Sequence, residues 1–234
     1  MTPRQKIILW ALTPLLVALC AIALAVQHQA ALLAQQQRSS VQAAYLTSKG
    51  AELRHYVKLA TRSISAIYDS GRDDAAALEQ AKQILTKLDY GDDGYFFVYD
   101  RHGVNLVHPR QPDLVGKNLW ALRDIEGNLT IQRLIARALA GGGLERYLWE
   151  KPSTHKVVPK LGYVVSLPRW GWILGTGIYL DDVDTVVDKI DSQFSTNIQN
   201  TMWWIAGIAI ASALIIALSG VVLNFSDSGS LTPN

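Results

Sequence analysis

The sequence predicts an α+β protein: an antiparallel sheet flanked by helices, entered through a long N-terminal helix and held between two transmembrane helices. Three observations predict it. Two apolar runs, Ile7 to Val26 and Met202 to Leu223, bracket a polar stretch. Inside that stretch helical spacing of apolar residues gives way to strand-like composition beyond Leu88. The strand candidates are then joined by connections too short for parallel crossovers, which favours antiparallel pairing.

Each apolar run is about as long as the ~20 residues a helix needs to cross ~30 Å of hydrocarbon, and neither contains Asp, Glu, Lys or Arg. Pro14 lies inside the first, where neighbouring groups in a membrane can satisfy the carbonyl it frees. Arg4 and Lys6 precede that run with no acid nearby, so the positive-inside bias puts residues 1–6 in the cytoplasm. Residues 7–26 then cross outward, 27–201 form an outer domain, 202–223 cross back, and 224–234 are a short cytoplasmic tail. A cleaved signal peptide is the other reading, because Ala23-Leu24-Ala25 resembles a cleavage site, but the run exceeds the ~7–15 residues of a signal core. Either way the second span tethers the domain.

Composition excludes several classes. The outer stretch holds nearly equal numbers of acids and bases, so nothing points to nucleic acid. The single cysteine, Cys20, falls in the first span, so the outer domain has no disulfide and relies on an ordinary core. The five histidines are scattered with no pair at zinc-ligand spacing, and Asp92-Asp93 lacks the further spaced oxygens of a calcium loop. No metal and no cofactor is expected.

From Gln27 to Ser70 there is no proline and one glycine, and Leu46, Leu53, Val57, Ala60, Ile64 and Ile67 mark one face of a long helix. Ser70-Gly71 ends it, and Asp73 or Asp74 caps a second helix carrying Ala77, Ala81, Ile84, Leu85 and Leu88. Gly94 to Asp100 and Val104 to His108 form a hairpin, with Gly103 supplying the positive φ of the turn. Pro109, Pro112 and Gly116 mark a loop, and Leu129 to Leu139 returns to helical spacing. Strands are expected at Leu144 to Lys151, Leu161 to Leu167 and Trp172 to Leu180, and a last helix at Asp182 to Asn200 leads into the second span.

Six segments carry a family resemblance. They are Tyr90-Gly-Asp-Asp-Gly-Tyr-Phe-Phe-Val-Tyr-Asp100, Gly103-Val-Asn-Leu-Val-His-Pro109, Leu114-Val-Gly116, Tyr147-Leu-Trp-Glu-Lys151, Lys160-Leu-Gly-Tyr163 and Trp170-Gly-Trp-Ile-Leu-Gly-Thr-Gly-Ile-Tyr179. In this order they resemble the single-Cache sensory domains, relatives of PAS domains, found outside the membrane in bacterial chemoreceptors and sensor histidine kinases. The resemblance implies a PAS-like sheet and a two-pass protein of the bacterial inner membrane with its sensory domain in the periplasm. It also implies a small ligand of organic-acid or amino-acid type, and homodimers associating along the long helix, where the stripe from Leu46 to Ile67 fits either a seam or the protein's own sheet. Family members usually continue into a kinase or methyl-accepting output. Only eleven residues follow Leu223 here, so the expectation is an input module whose output lies in a longer chain or a cytoplasmic partner.

Strand alternation places Tyr95, Phe97 and Tyr99 on one face, and Tyr147 and Trp149 on one face of another strand. Tyr95, Phe97, Tyr147 and Trp149, with His108, Lys160 and Tyr163, form the expected ligand-binding set: hydroxyls and imidazole donating, lysine supplying charge. Each aromatic is equally compatible with a plain packed core. Alternation also puts Lys160 and Tyr163 on opposite faces unless a bulge intervenes. Two other classes compete: a ligand-free scaffold, and a tethered hydrolase using His108 and Asp100. The latter lacks a Gly-x-Ser-x-Gly elbow and any outer cysteine, so no enzyme is expected.

Overall fold

The computed structural model describes residues 3–181, 196–215 and 218. The chain divides into two units, Met1–Val41 with Val187–Asn234, and Gln42–Val186. The first contains the membrane-length apolar helices. Two described helical segments are long and apolar enough to cross a bilayer, one beginning within α1 (Pro3–Ser63) and the other Thr196–Ile215. Most of the helix expected at 182–200, and the end of the second span beyond Ile215, lie outside the described residues.

The second unit is the sheet domain. α1 ends where Ile64 leaves helical geometry, and one further turn, α2 (Ser65–Asp69), follows. Asp74 caps α3 (Ala75–Lys87), its carboxylate accepting the Ala77 N–H at 3.1 Å. The Arg72 guanidinium grips the same carboxylate at 2.8 and 2.9 Å, and with the cap bond it holds the Asp74 pKa down to about 2.

Six strands follow: β1 (Asp89–Tyr90), β2 (Gly94–Asp100), β3 (Asn105–Val107), β4 (Gly143–Lys151), β5 (Lys156–Leu167) and β6 (Trp172–Tyr179), with α4 (Thr130–Leu139) between β3 and β4. Every pair is antiparallel, in the order β1-β2-β6-β5-β4, with β3 also on β2. The β2–β3 hairpin turns at Gly103, φ +88°, and Asp100 closes the turn by accepting the His102 and Val104 N–H groups, each at 2.8 Å.

One sequence expectation needs correction. β5 begins at Lys156 and runs through Pro159, so Lys160 sits mid-strand instead of preceding a strand that starts at Leu161. The helical stripe is consumed at home: Leu53, Val57, Ala60 and Ile64 are buried, the last three in one cluster with Phe96, Val98, Trp172 and Leu174 on one sheet face. A seam between two copies therefore cannot use those four residues. Trp172 packs in the core, and Trp170 beside it donates its indole N–H to the Arg72 carbonyl at 3.0 Å.

The other sheet face is covered by α4. Ile131, Leu134, Ile135 and Ala138 meet Tyr95, Phe97, Tyr99, Tyr147, Val164 and Ile173, and Arg133 and Arg137 tie α4 to Glu145 on β4. Gly175 lets β6 approach β2 and β5 in this layer, since a Cβ there would lie 2.5 Å from the Phe97 ring and 2.7 Å from Val164. Gly175→Ala is accordingly expected to destabilise the domain by about 1–3 kcal/mol through overpacking. Equilibrium denaturation of the two proteins measures this directly, and an unchanged midpoint would refute it.

Candidate ligand-binding site

The centre of the α4-side face is a lysine with no exposed surface. β5 register sets Lys160 opposite Tyr147 on β4 and opposite Tyr179 on β6, so the two tyrosines flank it in the plane of the sheet. Lys160 Nζ donates to the Tyr179 hydroxyl at 3.2 Å and lies 3.9 Å from the Tyr95 ring centroid and 4.5 Å from that of Tyr179. Its stem fits because Gly177 has no side chain: a Cβ there would be 2.9 Å from Lys160 Cε. Among the described residues no carboxylate lies within ion-pair distance of this ammonium. Burial therefore dominates and drives the Lys160 pKa well below the usual lysine range, with the more distant Asp93 only partly opposing it.

Around it stand hydrogen-bond donors. Tyr179 donates to the Glu150 carbonyl at 2.7 Å, and its oxygen lies 3.4 Å from the Tyr95 hydroxyl. Burial raises the pKa values of Tyr95, Tyr99, Tyr147 and Tyr179 above the ordinary phenol range, so all four keep their protons. His108 is 3% exposed and accepts the Gln111 N–H on Nδ1 at 3.0 Å, which leaves its proton on Nε2. Burial first, then the Lys160 charge, push its pKa down to about 3. It is a neutral donor at physiological pH.

Trp149 covers the group. Its indole N–H donates to the Gln111 side chain at 3.1 Å, and its ring lies 6.1 Å from His108 and 6.2 Å from Tyr147. The His108 ring in turn lies 4.8 Å from Tyr95. The cavity lined by Tyr95, Phe97, Tyr99, His108, Tyr147 and Trp149 measures about 10 Å³, room for about one water. An organic ligand entering here has to displace Trp149 or the Pro109–Pro112 loop that holds it.

Of the seven residues the sequence singled out, six share this face: Tyr95, Phe97, His108, Tyr147, Trp149 and Lys160. Tyr163 does not. It packs with the α1-side core and its hydroxyl accepts from Arg54 at 3.3 Å, because β5 alternates without a bulge between Lys160 and Tyr163. Sequence reading missed Tyr179, whose place opposite Lys160 depends on β5–β6 register, and Gln111, which only the fold brings to Trp149. The Gly175-Thr176-Gly177 run was the visible signal that something bulky crosses β6 there.

A larger cleft of about 1070 Å³ belongs to the apolar unit and is lined by residues such as Leu19, Cys20, Trp203 and Ala206.

The model for single Cache domain 2 matches residues 46–193. The chain belongs to that family. It therefore carries a sensory domain of the single-Cache type, and the antiparallel sheet with its long leading helix is the family fold. The chain is 43% identical to the sensor histidine kinase MctS of Rhizobium johnstonii over 97% of its own length and 50% of that protein's. It is also similar to a crystal structure of a methyl-accepting chemotaxis protein from Vibrio parahaemolyticus, at 36% identity and a TM-score of 0.60, covering 63% of this chain and 99% of that one. A third similarity is to a Cache chemosensory domain solved to explain carboxylic acid recognition, at 30% identity and a TM-score of 0.54, covering 58% of this chain and 97% of that one. The chain spans at most half the length of the curated relatives it matches.

Proposed function

We propose that the domain binds a small organic acid outside the bacterial inner membrane, within the cage of Lys160, Tyr95, Tyr147, Tyr179, His108 and Trp149. The observation that carries this reading is the buried ammonium of Lys160 facing donors and no acid. An uncompensated buried charge is expensive, and a ligand carboxylate supplies the missing counter-charge while accepting from the hydroxyls and imidazole. The cage contains no side-chain carboxylate to receive an amino group, which favours plain organic acids over amino acids.

Signal output then follows from the strands and helix that build the cage. Tyr179 ends β6, which leads toward the second apolar helix, and the α1 stripe is packed on the opposite face of the same sheet. A ligand that binds two arrangements of these elements unequally must shift their populations. Output would pass to a kinase or chemotaxis partner on the cytoplasmic side. In a homodimer along α1, the contact would use exposed residues such as Leu59 in place of the buried stripe.

The competing reading is a ligand-free structural module, and the small volume of the cavity is its supporting observation. Thermal melting of the full chain in detergent, with short-chain monocarboxylates against matched amino acids and sodium chloride, separates the two. The sensory reading expects saturable stabilisation by carboxylates alone, about 2.7 kcal/mol at a hundredfold excess over Kd. No shift with any carboxylate would remove it.

A further inference from the structure

On the α1 side of the sheet a second cleft, of about 360 Å³, lies between α1, the β1–β2 turn and the end of β6. Its volume falls in the range of small-molecule sites, ~300–1,000 Å³, whereas the cage around Lys160 is closed. Its walls are Tyr45, Tyr56, Tyr90 and Tyr179, and its charged lining is Lys49 and Lys151 against Glu52, Asp92 and Asp93.

Both cations are already spoken for. Lys49 pairs with Glu52 at 2.6 Å, and the remaining Glu52 oxygen accepts from Tyr56 at 2.8 Å. Lys151 pairs with Asp181 at 3.0 Å, with Asp93 at 3.9 Å. Asp93 is further held by the Ser153 N–H and hydroxyl, each at 2.8 Å. Asp92, at the mouth, is the one charged lining group with no partner among the described residues. An entering anion finds no unpaired ammonium, while an entering cation finds an open carboxylate and a lining that includes the phenols of Tyr45, Tyr56 and Tyr90, the last two stacked at 4.1 Å.

We propose that this cleft is a second binding site, for a small organic ammonium ion, with Asp92 supplying the counter-charge and the tyrosines the cation–π walls. The site goes beyond the carboxylate reading and stands without it, although Tyr179 forms a wall of one site and bonds Lys160 in the other.

Calorimetric titration of the full chain in uncharged detergent with methylammonium, ethanolammonium and tetramethylammonium chlorides, against sodium chloride at equal ionic strength, tests it. Saturable millimolar-or-tighter binding of at least one ammonium is expected, weakened about fivefold or more by Asp92→Asn as an ion pair and its screening are lost, and retained in Lys160→Met. Tyr45→Ala, which removes one ring and no charge, should also weaken it. The proposal is overturned if none of the three cations binds, or if binding survives Asp92→Asn unchanged. It is equally overturned if binding disappears in Lys160→Met alone, since the cation would then belong to the cage. Carboxylate titrations run in parallel report on the other site, so either reading can fail without the other.

Discussion

Lys160→Met is expected to make the domain more stable and unable to bind a carboxylate. Methionine matches the length of the lysine stem and carries no charge, so the substitution keeps the packing against Gly177 and removes a buried, unpaired ammonium. Replacing buried ionic groups with apolar ones of similar volume often stabilises by about 1–4 kcal/mol, and for a domain of this size each kcal/mol moves the melting temperature by about 2–4 °C. The Tyr179 hydroxyl keeps its bond to the Glu150 carbonyl at 2.7 Å, so the change strands no donor. Binding moves the opposite way. Losing one partner of a buried charge pair costs about 2 kcal/mol or more, a weakening of about 30-fold at least. Melting and titration of the same protein read both effects. A lower melting temperature with unchanged affinity would show that the lysine serves the fold and that the ligand sits elsewhere.

Carboxylate binding should also take up a proton. Burial holds the Lys160 pKa well below the ordinary lysine value of 10.5, and a bound carboxylate raises it again. Between the free and bound pKa values the free protein lacks a proton that the complex holds, so uptake approaches about one proton per ligand and affinity falls up to about tenfold per pH unit. His108, pushed down to about 3, is neutral throughout and contributes nothing in that window. Without ligand the sign for stability is the reverse of the usual lysine case. The unfolded chain binds the Lys160 proton more tightly, so stability rises with pH from the depressed pKa toward 10.5. Calorimetry in two buffers of different ionisation enthalpy measures the uptake. Affinity that stays flat from about pH 5 to 9 with no proton uptake would exclude Lys160 as the anchor.

Much of this protein is legible from residue order because its physics is local. Sustained apolarity marks the two helices long enough to cross a membrane, the Asp74 cap and the α3 face follow from helical geometry, and the Gly103 turn follows from the conformation its hairpin demands. Alternation alone placed Tyr95, Phe97 and Tyr99 together, and it placed Tyr163 on the face opposite Lys160, where the structure has it. Local rules failed where a neighbour decides. The strand expected from Leu161 starts instead at Lys156 and runs through Pro159 alongside β4, and this turns Lys160 from a strand-end residue into a fully buried cation.

By itself the sequence determined the class of the fold, the two apolar segments and which residues of a single strand share a face, since each depends on period and composition within a few residues. Tertiary structure alone decided that β6 inserts between β2 and β5, bringing Tyr179 to Lys160. It also decided that Gln111 braces Trp149 and that the α1 stripe is spent on its own sheet. Those facts depend on which distant strand wins the hydrogen bonds and the buried area, a competition between parts of the chain far apart in sequence.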